Sequence, residues 1–269
     1  MTGPPARVDP TYGGSVSDWD PPQYLGFADE RSRPFADLIA RVPGPASTVV
    51  DLGCGAGNLT PILRGRWPEA EVTGIDSSPQ MIERARHDDP STTYLQADIA
   101  TWRPERPVDV IVSNAALQWV PGHRSLLPEL IGRLRDGGRF AFQVPGNFDA
   151  PSHAILHELA GREPYAAHTT GIERPDAAGP DVYLDDLTGQ GHRVDAWETT
   201  YLHVLTGPDP VFECAWSTGA RPVLQALPQE LRARFGREYR AALREAYPPR
   251  PYGTVLPFRR VFVVVERGG

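Results

Sequence analysis

Apolar residues recur along this chain in two alternating rhythms. Short β-branched runs such as 48–52 read as buried strands, and stretches with apolar positions three and four apart read as helices. Phe35, Leu38, Ile39 and Val42 have the helical spacing, with Pro34 suited to a first turn and Pro43 closing the far end. The pattern then predicts strand 48–52, helix 58–66, strand 71–76, helix 79–86, strands 92–97 and 108–113, helix 124–134 and strand 138–144. Such alternation with short connections predicts a parallel sheet covered on both faces.

Beyond Pro145 the rhythm breaks. A helix over 152–160 is followed by an irregular stretch to about Gly191, a long strand over 194–205, helices over 211–225 and 228–246, and a β-branched run over 261–265. The fold class is therefore α/β: a Rossmann-like, doubly wound, mostly parallel sheet of seven strands, with the last two at an edge. A helical cap over the strand carboxyl ends takes in about 146–192 and 206–254. Residues 1–18 mix Gly, Pro, Ser and charge without a period and read as a mobile arm; order begins near Trp19, and 19–269 forms one domain.

Composition narrows the function classes. Of 269 residues, 40% are hydrophobic and 23% charged, ordinary globular usage, while 29 prolines and 26 glycines imply many short loops. A net charge of -7 gives no broad basic field, which disfavours a nucleic-acid partner. No run approaches the ~20 apolar residues that span a bilayer, and no apolar signal core opens the chain, so the expectation is a cytoplasmic protein without a membrane partner. Cys54 and Cys214 are far apart and read as free thiols, and no coiled-coil pattern demands more than a monomer.

The chemistry concentrates at strand ends. DLGCGAGN, 51–58, directly follows a strand and precedes a helix; Gly53, Gly55 and Gly57 let backbone approach a ligand without a Cβ. A dinucleotide fingerprint would carry its third glycine where this chain has Asn58, so pyrophosphate is the weaker reading. Asp51 places a carboxylate at the strand end, where it attracts a cation. Asp76 ends the next strand, where an acid accepts from ribose hydroxyls, with an N-cap before Ser77 and Ser78 as its plainer role. Asp98 suits an adenine amine, with Ile99 against the ring. Asn114 opens SNAALQW at the end of the fourth strand, so four polar groups face one crevice outside the carboxyl ends.

These motifs, in this order, resemble those of class I S-adenosylmethionine (SAM) methyltransferases. The flanks narrow the likeness: WDPPQYLGFADERSRP (19–34), SNAALQWVPGH (113–123), QVPGNFDAPSH (143–153), WETTYLHVL (197–205), STGARPVL (217–224) and the terminal LPFRRVFVVVE resemble the trans-aconitate 2-methyltransferase family along nearly the whole chain. The resemblance implies methyl transfer from SAM to a carboxylate of trans-aconitate or a similar small polycarboxylate, giving a monomethyl ester and S-adenosylhomocysteine, with no metal. Expected cofactor contacts are Tyr24, Arg33, Asp51, Gly53, Gly55, Asn58, Asp76, Ser77, Met81, Asp98, Ile99, Asn114 and Ala115.

A carboxyl group with a reference pKa near ~4 is already ionised at neutral pH and needs no general base. Orientation and exclusion of water then supply the acceleration. Trp119 and Gln143 are expected to wall the transfer site, and Asn147, Tyr183, Tyr201, Arg221 and Arg260 to hold the acid, since a desolvated polyacid requires cationic and hydrogen-bonding partners. Other readings stay open: methylation of a hydroxyl, for which His123 is a candidate base, and SAM binding without catalysis. His153 and His157, four apart on one helix, read as solvent-facing rather than as metal ligands.

Overall fold

The computed structural model describes residues 28–172 and 174–268; the expected arm, Trp19 and Tyr24 lie outside these. In chain order the elements are α1 (Ala28–Ala40), β1 (Thr48–Leu52), α2 (Thr60–Arg66), β2 (Glu71–Asp76), α3 (Pro79–Asp88), β3 (Thr93–Gln96) and β4 (Val108–Asn114). After a 3-10 turn over Leu117–Trp119 come α4 (His123–Gly132), β5 (Leu134–Pro145), α5 (Pro151–Ala160), α6 (Ala166–Thr169) and α7 (Pro180–Thr188). Last are β6 (Arg193–Leu205), α8 (Pro210–Trp216), α9 (Arg221–Ala226), α10 (Gln229–Ala246) and β7 (Thr254–Glu266).

The strands form one seven-stranded sheet in the order β3-β2-β1-β4-β5-β7-β6, with β7 antiparallel to both neighbours and the other pairings parallel. Near-continuous apolar strands need cover on both faces. One face buries Val50, Leu52, Ile111, Phe140, Phe142 and Val263 against Leu127, Leu130 and Ile131 of α4 and Tyr183 and Leu187 of α7. The other buries Val49, Val110, Val112 and Phe262 under Phe35, Leu38 and Ile39 of α1 and Leu63 of α2. Pro34 lies inside α1 rather than at its start.

Strand lengths place the cap. β6 and β7 pair along their whole lengths, Arg193↔Glu266 to Leu205↔Thr254, whereas β5 pairs with β7 only from Arg139↔Glu266 to Pro145↔Arg260. Residues 200–205 and 254–259 therefore run past the carboxyl end of β5. Leu205 and Leu256 on that overhang share a second apolar cluster with Leu156, Tyr165, Phe212, Val223, Phe235 and Tyr239. This cluster is the core of a cap made of α5, α6, α8, α9 and α10. The expected cap over 146–192 is corrected at its end, because α7 packs in the sheet layer. The expected helix over 211–225 is two, α8 and α9. No helix among the described residues is long and apolar enough to cross a membrane.

Candidate active site

Two pockets meet at the carboxyl edge of the sheet. The first surrounds the glycine turn after β1. The backbone N–H groups of Gly53 and Cys54 donate to the carbonyl of Ile75 at 2.7 and 3.0 Å, tying the turn to β2. Gly53 and Gly57 have φ of 78° and 74°, and a Cβ would stand 2.2 Å from that of Ala116 or 2.4 Å from the Tyr94 hydroxyl. A Cβ on Gly55 would meet nothing within 4 Å and would project into open space at the pocket wall. Gly53 and Gly57 thus close the turn against its neighbours, and Gly55 leaves room at the wall.

The acidic residues expected around this turn line the same pocket. Asp76 accepts from Gly55 N–H at 2.9 Å and from Ser78 N–H at 2.8 Å, joining the turn to the start of α3. These two bonds leave lone pairs on its oxygens for further donors. The Asp51 carboxyl is 2% exposed, and burial, reinforced by the charge of Asp76, pushes its pKa up to about 7. A cation relieves such a group. Asp98 accepts from Ala100 N–H at 2.7 Å beside the buried Ile99. Asn58, Ser77, Met81, Asn114 and Ala115, also expected, lie at this wall. The combination fits an adenosyl sulfonium: an open glycine approach, paired acids and, among the described residues, no cationic side chain at the pocket wall.

The second pocket lies between the sheet edge and the cap and shares Asn114, Ala115 and Trp119 with the first. Leu156, Leu205, Val211 and Leu256 give it apolar walls. Arg260 on β7 is 9% exposed, lies 4.4 Å over the Phe258 ring, and directs Nη1 at Gln143 Oε1, 3.4 Å away. Gln143 in turn donates to Asn114 Oδ1 at 2.5 Å. Asn147 is 4% exposed and its buried Oδ1 has no hydrogen-bond partner among the described residues, an arrangement that costs stability unless another group satisfies it.

His153 also lines this pocket, which corrects its reading as solvent-facing. Its Nε2 lies 3.2 Å from where a Cβ on Gly219 would stand, and its ring stands edge-on to Phe148 at 5.5 Å. Burial first, then the charge of His157, push its pKa down to about 4, against the opposing pull of Asp149. Helix spacing alone did not reveal this residue, because Gly219 and Phe148 come from distant segments. His153 and the Phe258 ring line the candidate acceptor pocket and were missed by sequence reasoning.

Several expected site residues lie elsewhere. Tyr183 is fully buried under the sheet, its hydroxyl 2.7 Å from His123 Nε2 and accepting from Ala178 N–H at 3.2 Å. It lines neither pocket, and His123, held by it and 2% exposed, is not placed to serve as a base. Tyr201 donates to Asp37 at 2.7 Å, and the exposed Arg33 sits 5.2 Å over its ring, forming a clasp between α1 and β6. Neither lines either of these two pockets, and nor does Arg221, which opens α9. Among the described residues no cluster of His, Cys, Asp or Glu is arranged to hold a metal ion.

Comparisons with known proteins agree with this geometry. A methyltransferase domain family matches residues 49–138, from β1 into β5. The trans-aconitate 2-methyltransferase of Streptomyces coelicolor is 50% identical over 262 residues, covering 93% of this chain and 86% of that protein. That of Streptomyces avermitilis is 49% identical over 265 residues, covering 94% and 98%. Among solved structures, phosphoethanolamine N-methyltransferase 2 of Haemonchus contortus, in complex with phosphomonomethylethanolamine and S-adenosylhomocysteine, superposes with a TM-score of 0.54 at 14% identity, covering 88% of this chain and 52% of that one. That likeness concerns the fold.

Sheet order, glycine turn and domain match define a class I SAM-dependent methyltransferase. Sequence identity along almost the whole chain narrows this further. The chain belongs to the trans-aconitate 2-methyltransferase family.

Proposed function

We propose that the protein transfers a methyl group from SAM to one carboxylate of trans-aconitate or a similar small polycarboxylate, releasing S-adenosylhomocysteine and a monomethyl ester. The observation that carries this reading is the shared wall of Asn114, Ala115 and Trp119 between an acidic pocket and one holding a buried guanidinium and an unsatisfied amide. The names of the curated relatives support the substrate class.

Asp51, Gly53, Gly55, Asn58, Asp76, Ser77, Met81, Asp98, Ile99, Asn114 and Ala115 would hold SAM. Bound there, SAM supplies an electrophilic methyl group carried on a sulfonium. Arg260, Asn147 and His153 are the acceptor-binding groups. Apolar walls exclude water and strengthen the field of Arg260 at a bound carboxylate. His153 is neutral at pH 7, its pKa being about 4, so it offers a hydrogen bond rather than a base of useful strength. The acceptor arrives ionised, and no proton need be removed.

In this reading the chain acts as a cytoplasmic monomer on a small acid; its net charge of -7 supports the absence of a nucleic-acid partner. The test is a comparison of kcat/KM for trans-aconitate, cis-aconitate, isopropylmalate and simple phenols with SAM as donor. Turnover restricted to polyacids is expected; turnover restricted to phenols overturns the reading.

A further inference from the structure

A Gln or Asn side-chain amide has a donor end and an acceptor end, and which way it points is fixed by its partners. Three side chains on adjacent strands settle this here. Arg260 of β7 can only donate, and its Nη1 faces Gln143 Oε1 at 3.4 Å. Gln143, 1% exposed on β5, must then present its Nε2 on the other side, where it meets Asn114 Oδ1 at 2.5 Å. Asn114 closes β4, accepts on its oxygen, and is left with Nδ2 and two hydrogens. Its amide nitrogen makes no hydrogen bond among the described residues.

The backbone holds the same alignment. Asn114 pairs with Gln143 across β4 and β5, and Pro145 with Arg260 across β5 and β7. The next residue, Ala115, takes a left-handed φ of 53° and donates its N–H to the Gln143 carbonyl at 2.9 Å. Ala115 O in turn accepts from Gln118 Nε2 at 2.6 Å. The turn carrying Asn114 is therefore pinned on both sides, at the wall common to the two pockets.

We propose that Gln143 is a positioning residue: fixed by Arg260, it orients the Asn114 amide so that its nitrogen donates to the acceptor carboxylate at the junction of the two pockets. This rests on the carboxylate-methylation reading above. The guanidinium thus acts twice, attracting the acid directly and setting the polarity of a neutral donor about one side-chain length away. The carboxylate oxygen held by Asn114 is the one that becomes the ester carbonyl, which leaves the other free to attack.

Asparagine-selective 15N labelling tests this directly, because the chain has only Asn58, Asn114 and Asn147, all at the pocket walls. Trans-aconitate is titrated into full-length protein saturated with S-adenosylhomocysteine, with Asn114→Asp identifying the Asn114 signal. In the wild type one Asn114 amide proton is expected to move downfield. In Gln143→Glu, an isostere that accepts from Arg260 but cannot donate to Asn114, the amide turns over and that shift is lost. There kcat/KM for trans-aconitate should fall by about tenfold or more, the scale of one lost oriented hydrogen bond. An Asn114 amide unmoved in the wild type overturns the proposal without recourse to any variant, as does unchanged kcat/KM in a folded Gln143→Glu protein. If the wild type forms no ester from any acid, the functional reading fails as well, an outcome distinct from ester formation with a silent Asn114.

Discussion

Gly53 and Ala116 meet across the sheet at a point where a Cβ on the glycine would stand 2.2 Å from the alanine Cβ. The missing atom lets the turn after β1 nest against the loop after β4, bringing the glycine turn beside Asn114 and Ala115 in one pocket wall. Gly53→Ala must adopt a left-handed conformation, costing ~1–2 kcal/mol, and push that loop away. Both a lowered melting temperature and loss of SAM binding by calorimetry are expected. Gly55→Ala meets no neighbour within 4 Å. With the same left-handed strain but no clash, it should melt between Gly53→Ala and wild type, yet still bind SAM more weakly because Gly55 lines the pocket.

Two buried groups make stability depend on pH with opposite signs. Asp51 titrates at about 7 when folded and near 3.8 when unfolded, so between these values the folded chain holds the extra proton and stability falls as pH rises. His153 titrates at about 4 when folded and near 6.5 when unfolded, so there the unfolded chain holds the extra proton and stability rises with pH. Urea titrations at about pH 5 and about pH 6 should show Asp51→Asn steepening the rise with pH and His153→Gln reducing it, each by close to one proton. Above pH 7 ligand-free Asp51→Asn should be more stable than wild type. SAM, a cation, should bind wild type more tightly as pH rises toward 7, with that dependence lost in Asp51→Asn.

That the groups expected to hold the cofactor line one pocket was legible in the sequence, because each sits at or just beyond the carboxyl end of a recognisable strand. Asp51, Asp76, Asp98 and Asn114 needed only the α/β alternation to be placed on one edge. The acceptor pocket was less legible, since its walls come from β5, β7, α5 and the α8–α9 turn, and the relation between these depends on the overhang of the β6–β7 hairpin. Alternation along β6 does not say which face meets α1, so Tyr201 read as a ligand contact when it closes a clasp with Asp37. Tyr183 was misplaced for a related reason: α7 follows an irregular stretch, and its apolar side fits a sheet layer as well as a cap.

Those two tyrosines therefore make controls. Tyr183→Phe strands His123 and Ala178 N–H without their partner and should lower stability by about 1–3 kcal/mol, while KM for the acid stays at its wild-type value. Tyr201→Phe removes one bond to Asp37 and should cost about 1 kcal/mol, again without a kinetic change. Denaturation midpoints and steady-state kinetics on the same samples check both.

Arg260 should behave in the opposite way. Arg260→Met keeps apolar contact with Phe258 but removes the buried cation and its bond to Gln143. Hydrogen bonds to charged groups contribute about 1.5–3 kcal/mol, so kcat/KM for the acid should fall by about tenfold to a hundredfold or more. Calorimetry should show SAM affinity little altered, because Arg260 lines only the second pocket.

Product analysis reaches the central claim most directly. Purified protein is incubated with SAM bearing a deuterated methyl group and with trans-aconitate, and the product mass is read before and after mild base. The account expects one labelled methyl group on the acid, removed by base with return of trans-aconitate. A base-stable methyl on another acceptor, or SAM bound with no acid ever labelled, would contradict it.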